Sequence, residues 1–200
     1  VSDPKTLLQM AGADVTPAGL DQAALLVIDA QNEYVDGALV LPGVRPALDQ
    51  IATLLARARA AGVPVLHVAH KGRPGGAFDR DAARGQIADP AAPVGDESVV
   101  EKSLPNAFAG TDLEARLRDT GRDNLIVAGF MTHMCVSSTV RAALDLGFGS
   151  TVVAAATATR PLPNPGGGVI DADALHWASL AALGYRFAVI APDAAAIPDG

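Results

Sequence analysis

Apolar runs of strand length alternate with longer stretches in helical register along this chain. The segments AALLVID (23–29) and VPVLHVAH (63–70) are rich in Val, Leu and Ile and almost free of polar alternation. That is the pattern of strands covered on both faces, as in a parallel sheet. NLIVAGF (124–130), STVVAAA (150–156) and YRFAVIA (185–191) repeat it, each after a glycine-containing turn of the kind that closes a helix. VVEKS (99–103) is a further short β-like piece. Between these runs, 45–62, 111–121, 135–147 and 171–184 read as helices. In the first, Leu48, Ile51, Leu54 and Leu55 recur at helical spacing, and Thr111 or Asp112 opens the second as an N-cap. Strand, helix and strand repeated in this way predict an α/β fold: three layers, α/β/α, around a mainly parallel sheet of roughly six strands. Residues 1–200 are expected to form one domain of this kind.

Two segments resist the scheme. Residues 71–98 hold five Gly, three Pro and many charges, which is long for a connection inside a compact domain. A lid, a binding loop or an oligomer contact is expected there. Residues 159–171 contain Pro161, Pro163 and Pro165 followed by three glycines and must also be loop.

Composition narrows the partners. Half of the 200 residues are hydrophobic and 18% are charged, enough apolar material for a sizeable core and too much for a disordered chain. The formal charge of −7 argues against nucleic acid or an anionic membrane surface, since like charges would repel. A small-molecule ligand fits better. The single cysteine, Cys135, cannot form an intramolecular disulfide, and the first ten residues lack the pattern of a secretion signal. The expected compartment is therefore the cytoplasm. No apolar run reaches membrane-spanning length; the strongest carries Asp29 inside it.

In open parallel sheets ligands bind beyond the carboxyl ends of the strands. Asp29 closes the first strand, His70 the second, Lys102 lies in the short 99–103 piece, and GFMTHMC leads from the 124–130 strand into a helix. With Thr132 as N-cap, Cys135 falls in the first helical turn, where free N–H groups and the helix dipole favour thiolate. A thiol more acidic than a free one is expected. A lone cysteine is equally a small buried hydrophobe, Asp29 could cap a turn, and Lys102 could be a solvated charge. A buried Asp29, however, needs an ionic or hydrogen-bonding partner, and Lys102 is the natural candidate.

LLVIDAQNEY (25–34), EKSLPNAFAGTDLEARL (101–117) and VAGFMTHMCVSSTVRAALDLGF (127–148) together resemble the isochorismatase-like cysteine hydrolase superfamily, which includes nicotinamidases and N-carbamoylsarcosine amidohydrolases. The resemblance covers nearly the whole chain. It implies an Asp29–Lys102–Cys135 catalytic triad, a cis peptide at Phe130–Met131, and an oxyanion hole made by the backbone N–H groups of Met131 and Cys135. It further implies hydrolysis of a C–N bond in a small amide or carbamoyl substrate through a thioester, by a homodimer or homotetramer. An isochorismatase-type ether hydrolase and a catalytically silent scaffold of the same fold stand as alternatives. A dinucleotide-binding protein does not, because DAQNEYVDG offers no glycine fingerprint.

Nicotinamidases of the superfamily bind a metal through an Asp-x-His pair and a further His, a pattern this chain lacks. His67 and His70, three apart on one strand, would point to opposite faces. Neither a metal nor another cofactor is expected. His67 reads as a hydrogen-bonded core residue. Gln31, Tyr34, His70, Asn106, Phe108, Thr132 and His133 border the expected triad in sequence and are the candidate substrate-binding residues. Trp177 and His176, on the 171–184 helix, read as packing or subunit contacts.

Overall fold

A computed structural model describes residues 3–200. The chain begins with a one-turn helix α1 (Leu7–Met10) and continues through β1 (Ala23–Ile28), α2 (Val44–Ala60), β2 (Val65–His70), β3 (Ser98–Lys102), α3 (Leu113–Asp119) and β4 (Asn124–Phe130). A π-helical turn (Thr132–Val136) leads into α4 (Ser137–Asp145). Then follow β5 (Gly149–Ala158), the short strands β6 (Leu162–Pro163) and β7 (Val169–Ile170), α5 (Ala172–Gly184) and β8 (Val189–Ala191).

Six strands form one sheet in the order β3-β2-β1-β4-β5-β8, every neighbouring pair parallel. Helices cover both faces. Alternate residues of a strand face opposite sides, so β1 sends Ala23, Leu25 and Val27 to α2's Leu48, Ile51, Leu54 and Leu55. Its Ala24, Leu26 and Ile28 go to the other layer, where α3, α4 and α5 contribute Leu117, Val140 and Leu183. Both faces being dry explains why the strand sequences show no polar alternation.

The expected elements shift at their ends. The 185–191 strand shortens to Val189–Ala191, because Phe187 and Ala188 donate their N–H groups to the Leu183 carbonyl and continue the turn off α5. The strand expected at 150–156 extends to Gly149–Ala158 and breaks register with β4 between Val127 and Gly129. The 159–171 loop folds into the β6–β7 hairpin. The long 71–98 segment has no sheet strand of its own. It folds back on β1's exit through an isolated antiparallel bridge between Gln31 and Ile87 and buries Phe78, Ala88 and Ala91.

Gly129 is where the two central strands nearly touch. It has φ +116°, and a Cβ there would lie 1.9 Å from the Ile28 carbonyl oxygen. Only glycine allows β4 to approach β1 at the residue before Asp29. Among the described residues, no helix is long and apolar enough to cross a membrane.

Candidate active site

Asp29, Lys102 and Cys135 meet at the carboxyl edge of the sheet. Asp29 leaves β1 with φ +49°, a left-handed conformation that Asp tolerates better than most residues. Its backbone N–H is held by the Val68 carbonyl at 2.9 Å. Lys102, the last residue of β3, donates from Nζ to Asp29 Oδ2 at 2.7 Å and reaches Cys135 Sγ at 3.3 Å and His70 Nδ1 at 3.4 Å. Asp29 is fully buried, Lys102 2% exposed and Cys135 5% exposed. Among the described residues Asp29 Oδ1 meets the geometric criteria of a hydrogen bond with no partner, while the Cys135 thiol lies close enough to act on the carboxyl.

The turn carrying the cysteine is not the expected start of an α-helix. Met131, not Thr132, occupies the N-cap position, and the Phe130–Met131 peptide is cis. The Met131 carbonyl accepts from the N–H groups of Met134 at 3.0 Å and Val136 at 3.3 Å. In an α-helix the Cys135 N–H would be its partner. The π-helical turn skips that residue, and among the described residues the Cys135 N–H bonds to nothing outside its own turn.

Electrostatics corrects the expectation of an acidic thiol. Burial, reinforced by the Asp29 carboxylate, pushes Cys135 up to about 12, with the Lys102 ammonium opposing. Burial also raises Asp29 above the ordinary carboxylate range, again against Lys102. One carboxylate and one ammonium already balance in this dry site, and a thiolate would add an uncompensated charge. Burial and the neighbouring acid therefore favour the protonated form of Cys135.

The candidate binding residues separate into two groups. Tyr34 and His70 join the site. Tyr34 meets Phe78 and Phe130 edge-on, with ring centroids at 5.0 and 5.8 Å, and His70 meets Phe78 at 5.2 Å. Burial and Lys102 lower His70, leaving a neutral imidazole that accepts from the ammonium. Gln31 is buried and fully engaged as a strut: Nε2 donates to the carbonyls of His70 and Gly85, and Oε1 accepts from the His70 N–H. Asn106 turns inward on its own loop, accepting from the Phe108 N–H, and Phe108 stacks on Phe148 at 6.2 Å. Thr132 and His133 lie in the nucleophile turn with partners outside it, His176 Nδ1 at 3.0 Å and Thr159 Oγ1 respectively.

Three participants were not singled out from sequence as part of the site. Phe78 comes from the 71–98 loop, Phe130 from β4 and His176 from α5. Phe78 and His176 gave no local signal, since only the fold carries Phe78 to Tyr34 and His176 to Thr132, each across 44 positions. His67 bonds Glu97 at 2.9 Å, and Glu97 also holds Arg59. Among the described residues no three His, Cys, Asp or Glu side chains gather in a group that could hold a metal ion.

Comparison with known proteins agrees with this geometry at the level of the whole chain. Residues 23–192 match the isochorismatase domain model. The crystal structure of an isochorismatase from Pseudomonas putida KT2440 superposes with a TM-score of 0.93 at 43% identity, covering 98% of this chain and all of that one. Streptothricin hydrolase of Streptomyces noursei is 35% identical over 181 residues, 88% of this chain and 64% of its own. Nicotinamidase 3 of Arabidopsis thaliana is 30% identical over 188 residues, 84% of this chain and 83% of its own. The six-stranded parallel sheet, the matched span and these relatives make this chain a member of the isochorismatase family of hydrolases.

Proposed function

We propose that the protein hydrolyses the C–N bond of a small amide or carbamoyl compound through a thioester on Cys135. The observation that carries the reading is the buried bridge of Lys102 Nζ between Asp29 at 2.7 Å and the Cys135 sulfur at 3.3 Å. Relatives named nicotinamidase and N-carbamoylsarcosine amidase point to the same substrate class.

The steps follow from the resting protonation. Asp29 accepts the S–H proton as sulfur attacks the carbonyl carbon, and Lys102 offsets the negative charge passing between carboxylate and sulfur. The N–H groups of Met131 and Cys135 receive the oxyanion; losing one such donor typically costs about 3 kcal/mol in the transition state. The C–N bond breaks as protonated Asp29 gives its proton to the leaving nitrogen. Asp29 then takes a proton from water, whose oxygen adds to the thioester carbon. As the acid departs, sulfur regains the electron pair of the broken C–S bond and its proton from Asp29. Tyr34, His70 and Phe78 wall the entering group.

The test is incubation with primary amides, N-carbamoyl compounds and small lactams, reading ammonia or amine release and trapping the thioester by mass. Turnover and a mass adduct in wild type, with neither in Cys135→Ala, are expected. An alanine variant of full activity overturns the reading.

A further inference from the structure

Thr132 opens the nucleophile turn and is wholly buried, and its hydroxyl is hydrogen-bonded to Nδ1 of the half-buried His176 at 3.0 Å. His176 sits one turn into α5, a helix whose start is fixed by Asp171 Oδ1 accepting from the Ala174 N–H at 2.7 Å. Burial lowers His176, so the neutral ring offers one acceptor and one donor nitrogen. On the other side of the turn, His133 Nδ1 is hydrogen-bonded to Thr159 Oγ1 at the end of β5. Met131 and Cys135, whose N–H groups are the proposed oxyanion donors, flank Thr132 within four residues. The Thr132 and His133 side chains thus tie both sides of the π-helical turn to segments outside it.

We infer that His176 is a positioning residue for the hydrolytic site, acting through Thr132 to set the aim of the Met131 and Cys135 N–H groups. The inference rests on the nucleophilic reading of Cys135. It assigns to α5 a part in the reaction beyond its packing against the sheet. Donors of this kind strengthen in the transition state rather than the ground state, so misaiming them lowers kcat with little change in KM.

The test separates oxyanion holding from sulfur reactivity. An aldehyde adds the Cys135 thiol across its carbonyl: a C–S bond forms, the S–H proton passes through Asp29 to oxygen, and that oxygen sits where the oxyanion would. Iodoacetamide alkylates the same sulfur with loss of iodide and needs no oxyanion hole. Butyraldehyde and benzaldehyde labelled with carbon-13 at the carbonyl report hemithioacetal formation by NMR. In His176→Ala their affinity is expected to fall at least about tenfold, with alkylation within about twofold of wild type. His176→Asn, which returns a polar atom near the Nδ1 position, is expected to recover most of the loss. Thr132→Val is expected to match His176→Ala, and the double variant to be no worse than either. Unchanged aldehyde affinity in His176→Ala, additive losses in the double variant, or a parallel fall in alkylation and capture each overturns the inference while leaving the nucleophile in place. Wild-type protein that captures no aldehyde on Cys135 removes the nucleophilic reading and this one with it.

Discussion

Asp29 raises the Cys135 thiol and, in the proposed reaction, is the base that accepts its proton, so its removal separates reactivity from turnover. In Asp29→Asn, hydrolysis is expected to fall by at least about a thousandfold. Alkylation of Cys135 at neutral pH should nevertheless speed up, because the carboxylate that raises the thiol is gone and the Lys102 ammonium that lowers it remains. One unit of thiol pKa corresponds to about a tenfold rise in thiolate; iodoacetamide rates measured against pH read the shift, and a slower Asn variant contradicts it. Lys102→Met leaves the buried Asp29 carboxylate without its counter-ion. Breaking a buried pair from one side typically destabilises by about 3–5 kcal/mol. Urea denaturation is expected to show that loss, and the double variant Asp29→Asn with Lys102→Met should recover part of it. These residues could be named from sequence because each stands at a strand end or strand-to-helix junction. The direction of the thiol shift could not, because it depends on burial and on a carboxylate 106 positions away.

At the element scale, β1 and β4 hold the site together by approaching at Gly129. Gly129→Ala drives a Cβ to 1.9 Å from the Ile28 carbonyl, a clash between two backbones that no rotamer relieves. A loss of more than about 3 kcal/mol, or no folded protein, is expected. Gly121→Ala is the control: its φ is +69° and nothing lies within 4 Å, so only the conformational cost of about 1 kcal/mol applies. Equal denaturation midpoints for the two variants would show that the contact is not what matters. The helices and buried strands were legible because their periodicity is local. The π-helical turn was not, since THMCV carries no marker that separates it from an α-helical start. Its ties to the rest of the fold, Thr132 to His176 and His133 to Thr159, join it to residues 44 and 26 positions away.

At the scale of the whole molecule, Glu97 joins the long loop to both α2 and β2. Its carboxylate receives Arg59 Nε at 2.8 Å, the Val94 N–H at 3.0 Å and His67 Nε2 at 2.9 Å. Burial pushes it upward, but hydrogen bonds from Arg59, Val94 and His67 and the guanidinium charge outweigh this and bring it to about 2, from an ordinary 4.5. A carboxylate with a depressed folded pKa binds fewer protons folded than unfolded. Its stabilisation is therefore complete above pH 4.5 and is lost as pH falls toward 2. Glu97→Gln is expected to be roughly 1–2 kcal/mol less stable at neutral pH after allowance for solvent screening. Denaturation across a pH series should show the difference from wild type closing through the acid range; a constant difference contradicts the assignment. The dimer or tetramer expected from the family resemblance is checked by light scattering, and a monomer at working concentration removes it.

The sequence by itself determined the layers of this protein, because hydrophobic periodicity is a property of short windows, and it offered Asp29, Lys102 and Cys135 as candidates near strand ends and a strand-to-helix junction. It also carried the family, through motifs whose spacing survives in one dimension. Only the tertiary structure decided which polar residues face the sulfur and which brace the backbone. Gln31 became a strut, Phe108 joined the second core, and Phe78 and His176 entered from distant segments. It decided the charge state too, since a thiol beside a buried carboxylate and ammonium is governed by desolvation and neighbouring charge, both of which exist only after the chain has folded.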